Sequence, residues 1–96
     1  MTAYVIFQET ILDQEQFEVY KGMSPVSIEK FGGRFIVRGG PVDVLEGQPE
    51  HERVVVIAFP DRTTAQAWFD SPEYADAKAL RVKVSTGQAV IVDGID

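Results

Sequence analysis

Apolar residues recur along this chain with two spacings, which predict four strands and two helical regions. The stretch from Tyr4 to Phe7 is strand-prone, and residues 9–12 after it are predicted to be a connection. The run from Arg53 to Phe59 is apolar on both faces after its first residue, which is typical of a central strand. The strands predicted from these patterns cover residues 2–8, 34–38, 53–59 and 87–93.

A stripe of apolar residues at spacings of three and four predicts a helix between the first two strands. Asp13 provides an N-cap, and Gln16 has the capping-box spacing from it. Pro25 lies within the stripe, so it either kinks one helix or starts a second turn. We favour one kinked helix that ends at Phe31, because the following Gly32-Gly33 pair supplies a left-handed stop.

A second helical region follows the third strand. Asp61 or Thr63 is predicted to cap a helix that extends through Phe69. The Ser71-Pro72 pair then restarts the helical pattern, with serine as the cap and proline at the first helical position. This last helix is expected to reach about Val84.

The resulting order is β-α-β-β-α-β in a single domain, residues 1–96. This is the layout of an α+β, ferredoxin-like split βαβ sheet, with antiparallel strands and both helical regions on one face. The other face carries apolar residues such as Ile36 and would be exposed in a monomer. Because a large exposed apolar patch indicates an interface, we expect a homodimer in which two sheets pack face to face.

Composition disfavours several functional classes. The net charge of -6 and the pI near 4.6 argue against nucleic acid and against anionic membranes. The chain has no cysteine, which excludes disulfides, thiolate nucleophiles and iron–sulfur clusters. The acidic residues have no calcium-loop spacing, and we expect neither a metal nor a cofactor. No apolar run approaches the roughly 20 residues that span a bilayer, and the N-terminus does not resemble a signal peptide, so a cytoplasmic location is expected.

Two arginines on the second predicted strand are the main candidates for ligand binding. Side chains alternate along a strand, so Arg34 and Arg38 share one face with Ile36. Phe35 and Val37 then face the helices, which places both arginines on the open face of the sheet. Their Cα atoms would lie about 13 Å apart, so each arginine is expected to have its own partner.

The partner of each arginine has two interpretations. Arg34 or Arg38 holds either an external anion, such as a ligand carboxylate, or a carboxylate of the protein itself. The internal candidates are Glu46, Glu9 and a carboxylate of the other protomer. Arg53 opens the third strand, which should pair with the second, so it is expected near Arg38.

The remaining polar candidates have both functional and structural interpretations. Glu46 is either a general base or an arginine partner. His51, the only histidine, is better explained as a solvated loop residue than as an acid–base group. Trp68 and Tyr74 either line a pocket mouth or pack helices onto the sheet. Ser71 is better explained as a helix cap than as a nucleophile, because no nucleophile-elbow motif surrounds it.

Together these segments resemble the domain of unknown function 1330 family. The segments that carry the resemblance are Phe31–Gly40, Leu45–Gly47, the Arg53 strand with its Phe59-Pro60 end, and Trp68–Tyr74. The family is similar to the dimeric α/β-barrel group, which includes cofactor-free monooxygenases and muconolactone isomerase-like enzymes. The resemblance implies a ferredoxin-like protomer in a dimeric α/β barrel and no established reaction. Its motif positions here are Gly33, Arg34, Arg38, Gly39, Gly40, Glu46, Arg53, Ser71, Pro72 and Tyr74.

Two functions are consistent with these observations. The favoured one is a homodimer that binds a small acidic or apolar metabolite in a cavity lined by Arg34 and Arg38. The further ligand-binding candidates are Arg53, Trp68 and Tyr74. The alternative is a cofactor-free enzyme of small-molecule catabolism, monooxygenase- or isomerase-like, in which Glu46 or Tyr74 moves a proton.

Overall fold

The computed structural model describes residues 1–96 and contains a four-stranded antiparallel sheet with three helices. The elements are β1 (Ala3–Ile11), α1 (Gln14–Lys30), β2 (Arg34–Arg38), β3 (Arg53–Phe59), α2 (Arg62–Phe69), α3 (Pro72–Val84) and β4 (Ser85–Asp93). The strand order across the sheet is β2-β3-β1-β4. This topology is the α+β, ferredoxin-like split sheet that the sequence predicts. None of the helices has the length and apolar character required to cross a membrane.

Local chemistry fixes both ends of α1. The Asp13 carboxylate accepts hydrogen bonds from the backbone and side-chain nitrogens of Gln16, at 3.1 and 3.0 Å. At the other end, Gly32 has a left-handed φ of 73°, and the Gly33 amide donates to the Ile28 carbonyl at 2.9 Å. Residues 14–30 form one helix, so the prediction of a single helix through the proline is confirmed.

The first strand is longer than predicted. The ladder between β1 and β4 continues to the pair Ile11–Ser85, because β4 begins immediately after α3. The prediction that residues 9–12 form a connection is therefore wrong for 9–11. This correction matters because it places Glu9 within the sheet, on the same side as Phe7.

The helices pack on one face of the sheet around Trp68, which is fully buried. The centroid of its ring system lies 4.2 Å from the Tyr74 ring, 5.3 Å from Phe59 and 6.4 Å from Phe7. Such aromatic pairs add to the large apolar area that these rings remove from water.

No helix covers the opposite side, which we call the open face. Side chains of alternate parity on β1, β3 and β4 form it, and most of them are apolar. Its members include Tyr4, Ile6, Val54, Val56, Val90 and Val92. Val90 and Val92 are each almost half exposed, at 49% and 46%. The apolar open face expected from the sequence is thus present.

Candidate functional site

A cleft, here called the α1 cleft, lies between α1 and the helix-facing side of β1, β2 and β3. Its polar lining residues are Glu9, Tyr20, Lys21, Ser24, Arg38 and Arg53. Its apolar lining residues are Phe7, Phe35, Val55 and Ile57. The volume within which the centre of a water molecule can lie is about 10 Å³. This is room for about one water molecule. A larger ligand therefore needs α1 and β2 to move apart.

A buried ion pair forms the inner wall of the cleft. Glu9 on β1 lies directly opposite Arg53 on β3, and Arg53 Nη1 donates to Glu9 Oε2 at 2.5 Å. Their side chains are 4% and 17% exposed. The Arg53 guanidinium also lies over the Phe17 ring, with its central carbon 4.8 Å from the ring centroid. The carboxylate and the ring hold Arg53 in one place.

A β-bulge places Arg38 in the same cleft. The pairs on either side of the bulge are Phe35–Ile57 and Val37–Val56. Ile36 consequently has no partner on β3, and the parity of β2 changes after it. Arg38 lies opposite Val55, a core residue on the helix-facing side. The prediction that Arg38 shares the open face with Arg34 is therefore wrong.

Two neutral groups hold the Arg38 side chain at the cleft. Its Nη2 donates to the backbone carbonyl of Lys21 at 2.8 Å. Its guanidinium carbon lies 4.3 Å from the centroid of the Phe35 ring. Pro25 has no amide hydrogen, so the Lys21 carbonyl lacks its usual helical donor and is free to accept from Arg38. No ion pair of the chain includes Arg38.

Arg34 lies outside the cleft. It pairs with Ala58 on the open face, its side chain is exposed, and it also takes part in no ion pair. The sequence predicts a cavity lined by both Arg34 and Arg38. In the structure Arg38 lines the α1 cleft and Arg34 does not. The expected proximity of Arg53 to Arg38 is confirmed, since both line the α1 cleft.

Buried hydroxyl groups connect the cleft to the core. The Tyr20 hydroxyl lies 2.9 Å from the Tyr74 hydroxyl, which accepts a hydrogen bond from Arg81 Nε at 3.2 Å. Burial raises the pKa of both tyrosines above the usual value of 10, and for Tyr20 the neighbouring hydroxyl raises it further. Both groups are consequently protonated at neutral pH. Tyr20 lines the cleft, and Tyr74 lies behind it and is fully buried.

Trp68 and Tyr74 pack in the core and do not line the α1 cleft. The Trp68 indole N–H donates to Ser27 Oγ at 3.0 Å. Ser71 caps α3, since its Oγ accepts from the Tyr74 amide at 3.2 Å and donates to the Trp68 carbonyl at 2.7 Å. The interpretation of Ser71 as a cap is thus confirmed, and for the two aromatic residues the structure shows the packing interpretation.

The loop candidates lie away from the cleft. Glu46 is exposed in the segment between β2 and β3 and forms no ion pair with either arginine of β2. His51 lies on the polar surface, where its Nδ1 is 2.9 Å from Thr10 Oγ1. No group of three or more histidine or carboxylate side chains is arranged to hold a metal ion.

Glu9 is the principal acidic residue of the site, and it is not among the residues that the sequence predicts to act there on their own. The sequence indicates Glu9 only as a partner of Arg34 or Arg38, whereas the structure pairs it with Arg53. The signal was present, because Ala3, Val5 and Phe7 alternate inward and Glu9 continues their parity. Tyr20 belongs to the apolar stripe that predicts the first helix, and its spacing does not indicate that its hydroxyl lies at the site.

The α1 cleft carries an uncompensated positive charge within an acidic chain. Glu9 neutralises Arg53, and Lys21 Nζ lies 3.7 Å from Glu18 Oε1. Arg38, in contrast, has no carboxylate partner. The chain as a whole has a net charge of -6. A local cation beside apolar walls favours an anion with an apolar body.

A protein-family comparison matches residues 2–95 of the chain to the domain of unknown function family DUF1330. The chain belongs to this family. The resemblance noted in the sequence is thus confirmed over nearly the whole length. No curated protein matches the chain.

Solved structures share the fold of this DUF1330 protein at low sequence identity. A protein of unknown function from Rhodopseudomonas palustris has a TM-score of 0.79 and 14% identity, over 99% of this chain and 83% of that one. A dimeric ferredoxin-like protein of unknown function from Jannaschia sp. CCS1 has a TM-score of 0.75 and 14% identity, over 98% and 100%. SnoaB, a cofactor-independent oxygenase from Streptomyces nogalater, has a TM-score of 0.73 and 11% identity, over 99% and 94%.

Proposed function

We propose that this protein binds a small carboxylate with an apolar body in the α1 cleft, and that Arg38 holds the carboxylate. The observation that carries this proposal is the environment of the Arg38 guanidinium. A backbone carbonyl and an aromatic ring fix its position, but no carboxylate neutralises its charge. An arginine held in this way has donors left for a bidentate bond to a ligand carboxylate.

The rest of the cleft suits the apolar part of such a ligand. Phe35 lies beneath the Arg38 guanidinium, and Phe7, Val55 and Ile57 continue the apolar wall inward. Because the closed cleft holds about one water, binding requires separation of α1 from β2. Part of the binding free energy is used for this opening, so we expect micromolar rather than nanomolar affinity.

The test compares two arginine variants of the same strand. Arg38→Met removes the proposed carboxylate partner, and Arg34→Met removes the same charge from the open face. We expect benzoate and short-chain carboxylates to raise the melting temperature of the wild type and of Arg34→Met, but not of Arg38→Met. Stabilisation that persists in a folded Arg38→Met protein, or no stabilisation by any carboxylate of a broad panel, would contradict the proposal.

We also propose that the protein is a homodimer formed through the open face. The support is the apolar character of that face, which no helix covers, and the dimeric state of the Jannaschia protein with the same fold. Val90→Glu places a charge among the apolar residues of the open face, on the edge strand β4, and is expected to give a monomer, whereas Val82→Glu on the exposed side of α3 is the control. A monomeric mass for the wild type at micromolar concentration would exclude the dimer.

A cofactor-free enzyme is the second candidate function. The specific observation in its favour is that the Glu9 carboxylate and the Tyr20 hydroxyl, two groups able to move or hold a proton, line the cleft that Arg38 enters. Any carboxylate that binds in an Arg38-dependent manner can be incubated with the protein and followed by NMR under air. Turnover that is lost in Glu9→Gln supports this candidate, and an unchanged ligand excludes it for that compound. The cytoplasmic location and the lack of a nucleic-acid partner stay predictions.

A further inference from the structure

We infer that the ligand of the α1 cleft is a hydroxy acid, whose carboxylate contacts Arg38 and whose hydroxyl donates to the free oxygen of Glu9. This inference rests on the proposed function and narrows the class of ligand. It concerns a polar group of the cleft that the proposed carboxylate contact does not use.

The carboxylate of Glu9 has one oxygen without a protein partner. Oε2 accepts from Arg53, and Oε1 makes no hydrogen bond within the chain. The side chain is only 4% exposed, yet no fully buried polar atom of the protein lacks a partner. Oε1 therefore retains contact with solvent, and Glu9 lines the α1 cleft. An ionised carboxylate can only accept hydrogen bonds, so this position selects a ligand group that donates one.

None of the other polar groups of the cleft offers a charged acceptor, since the hydroxyls of Ser24 and Tyr20 are neutral. The Arg53 guanidinium only donates. The Tyr20 hydroxyl is already in contact with the Tyr74 hydroxyl at 2.9 Å. A ligand that reaches inward from Arg38 thus meets Glu9 as the negatively charged acceptor of the cleft. A second carboxylate at this position would face a like charge, so the site is expected to disfavour dicarboxylates.

The primary experiment varies the ligand and leaves the protein unchanged. Dissociation constants at pH 7 are measured by calorimetry for benzoate, 3- and 4-hydroxybenzoate and their methoxy analogues, and for acetate, glycolate and methoxyacetate. A methoxy group places its oxygen at the same position but cannot donate a hydrogen bond, and the unsubstituted acid controls for the extra methyl group of the methoxy compound. A hydrogen bond to a charged group predicts that at least one hydroxy acid binds about tenfold or more tightly than its methoxy and unsubstituted counterparts.

Protein variants then identify the acceptor. Glu9→Gln retains an oxygen but removes the charge, and the hydroxyl preference is expected to fall from about tenfold to about threefold or less. Arg34→Met, outside the cleft, is the matched control and keeps the full preference. A preference that persists in Glu9→Gln but disappears in Tyr20→Phe would identify Tyr20 as the partner and overturn the inference. If Glu9→Gln does not fold, Tyr20→Phe decides: loss of the hydroxyl preference in that variant overturns the inference, and an unchanged preference supports Glu9.

The outcomes separate this inference from the proposed function. If carboxylates bind in an Arg38-dependent manner but hydroxy and methoxy acids bind equally, the carboxylate site stands and the hydroxy-acid inference fails. If no carboxylate binds, or binding does not depend on Arg38, both fail. A hydroxyl preference that depends on both Arg38 and Glu9 supports both.

Discussion

Arg38 donates to the backbone carbonyl that Pro25 leaves without its usual helical partner. In a regular α-helix the amide of residue 25 would donate to the carbonyl of Lys21, but proline has no amide hydrogen. The Arg38 Nη2 atom lies 2.8 Å from that carbonyl oxygen and takes the role of the missing donor. A proline in the middle of α1 thus creates an acceptor for the arginine of β2, and it joins the two walls of the α1 cleft.

This relationship predicts that Pro25 and Arg38 are energetically coupled. Arg38→Met should lower the free energy of unfolding by about 1 kcal/mol in the wild type, because the Lys21 carbonyl loses its donor. Pro25→Ala supplies an amide at that position, so the same arginine substitution should cost less there. Urea unfolding of the two single variants and the double variant is expected to give a coupling of at least about 0.5 kcal/mol.

Arg34→Met is the control for that cycle. Arg34 is on the same strand but on the open face, on the opposite side of the sheet from α1. Its effect should be additive with that of Pro25→Ala within about 0.3 kcal/mol. If Arg34 and Arg38 showed equal coupling to Pro25, the hydrogen bond from Arg38 to the Lys21 carbonyl would not be the cause of the coupling energy.

The ion pair between Glu9 and Arg53 should behave as a unit. Arg53→Met leaves a carboxylate that is 4% exposed without its partner, so we expect a loss of about 3 kcal/mol in the free energy of unfolding. The double variant Glu9→Met/Arg53→Met replaces both charges by apolar groups and should lose less than Arg53→Met alone. Chemical denaturation of the wild type, Arg53→Met and the double variant measures the three free energies of unfolding.

An exposed ion pair provides the comparison. Lys30 and Glu73 lie 3.8 Å apart, and their side chains are 63% and 37% exposed. Removal of Glu73 should change stability by less than about 1 kcal/mol. If the buried and exposed pairs respond alike, solvent enters the α1 cleft far more than its burial indicates.

The elements that local chemistry determines could be predicted from the sequence. Asp13 and Gln16 define the start of α1, the Gly32-Gly33 pair defines its end, and Ser71-Pro72 starts α3. Each of these signals acts within a few residues, so no knowledge of the tertiary structure is needed. The apolar central strand was equally predictable, and the ferredoxin-like topology comes from the order of these elements.

The positions of the site residues depend on how the strands pair with one another, and the sequence does not reveal that pairing. One unpaired residue, Ile36, reverses the parity of β2 and moves Arg38 from the predicted open face into the α1 cleft. A bulge is set by the register against the neighbouring strand, which alternation within one strand cannot indicate. Similarly, Glu9 belongs to β1 because it pairs with Arg53 of β3 and with Gly87 of β4, partners that are distant in sequence.

Two glycines with similar backbone conformations allow a further prediction about Arg53. Gly39 and Gly47 have φ values of 71° and 83°. A Cβ atom at Gly39 would lie 2.8 Å from Arg53 Nε, whereas at Gly47 it would meet nothing within 4 Å. Alanine at either position must adopt a left-handed backbone conformation, which costs about 1–2 kcal/mol. Only Gly39→Ala should also displace the Arg53 guanidinium from Glu9.

Gly39→Ala should therefore lower the free energy of unfolding by about 1 kcal/mol more than Gly47→Ala, since the Arg53–Glu9 contact is disturbed. The difference should vanish in the Glu9→Met/Arg53→Met background, where no guanidinium occupies that position. Urea unfolding of these four proteins measures it. An equal cost of both alanine variants in the wild type would show that Arg53 moves aside freely.

Tyr20 and Tyr74 predict how stability changes at alkaline pH. Burial raises the pKa of both phenols in the folded protein above the usual value of 10. Between the unfolded and folded pKa values, the unfolded chain has lost protons that the folded protein retains. Deprotonation then stabilises the unfolded state, so the contribution of each tyrosine to stability is complete below pH 10 and decreases as the pH rises above it.

The free energy of unfolding should accordingly fall above pH 10, with up to about 1.4 kcal/mol per pH unit for each of the two buried phenols. Tyr20→Phe removes one of these groups and should reduce the slope by about half, even though it also lowers stability at pH 7. Tyr4→Phe, which removes a hydroxyl from the open face, is the control. Urea unfolding between pH 8 and 11 measures the slope for each protein. The comparison uses slopes, so a lower stability of Tyr20→Phe at pH 7 does not affect it. An identical slope in the wild type and Tyr20→Phe would show that the Tyr20 phenol ionises in the folded protein as easily as in the unfolded chain. That result would contradict its burial and its contact to Tyr74.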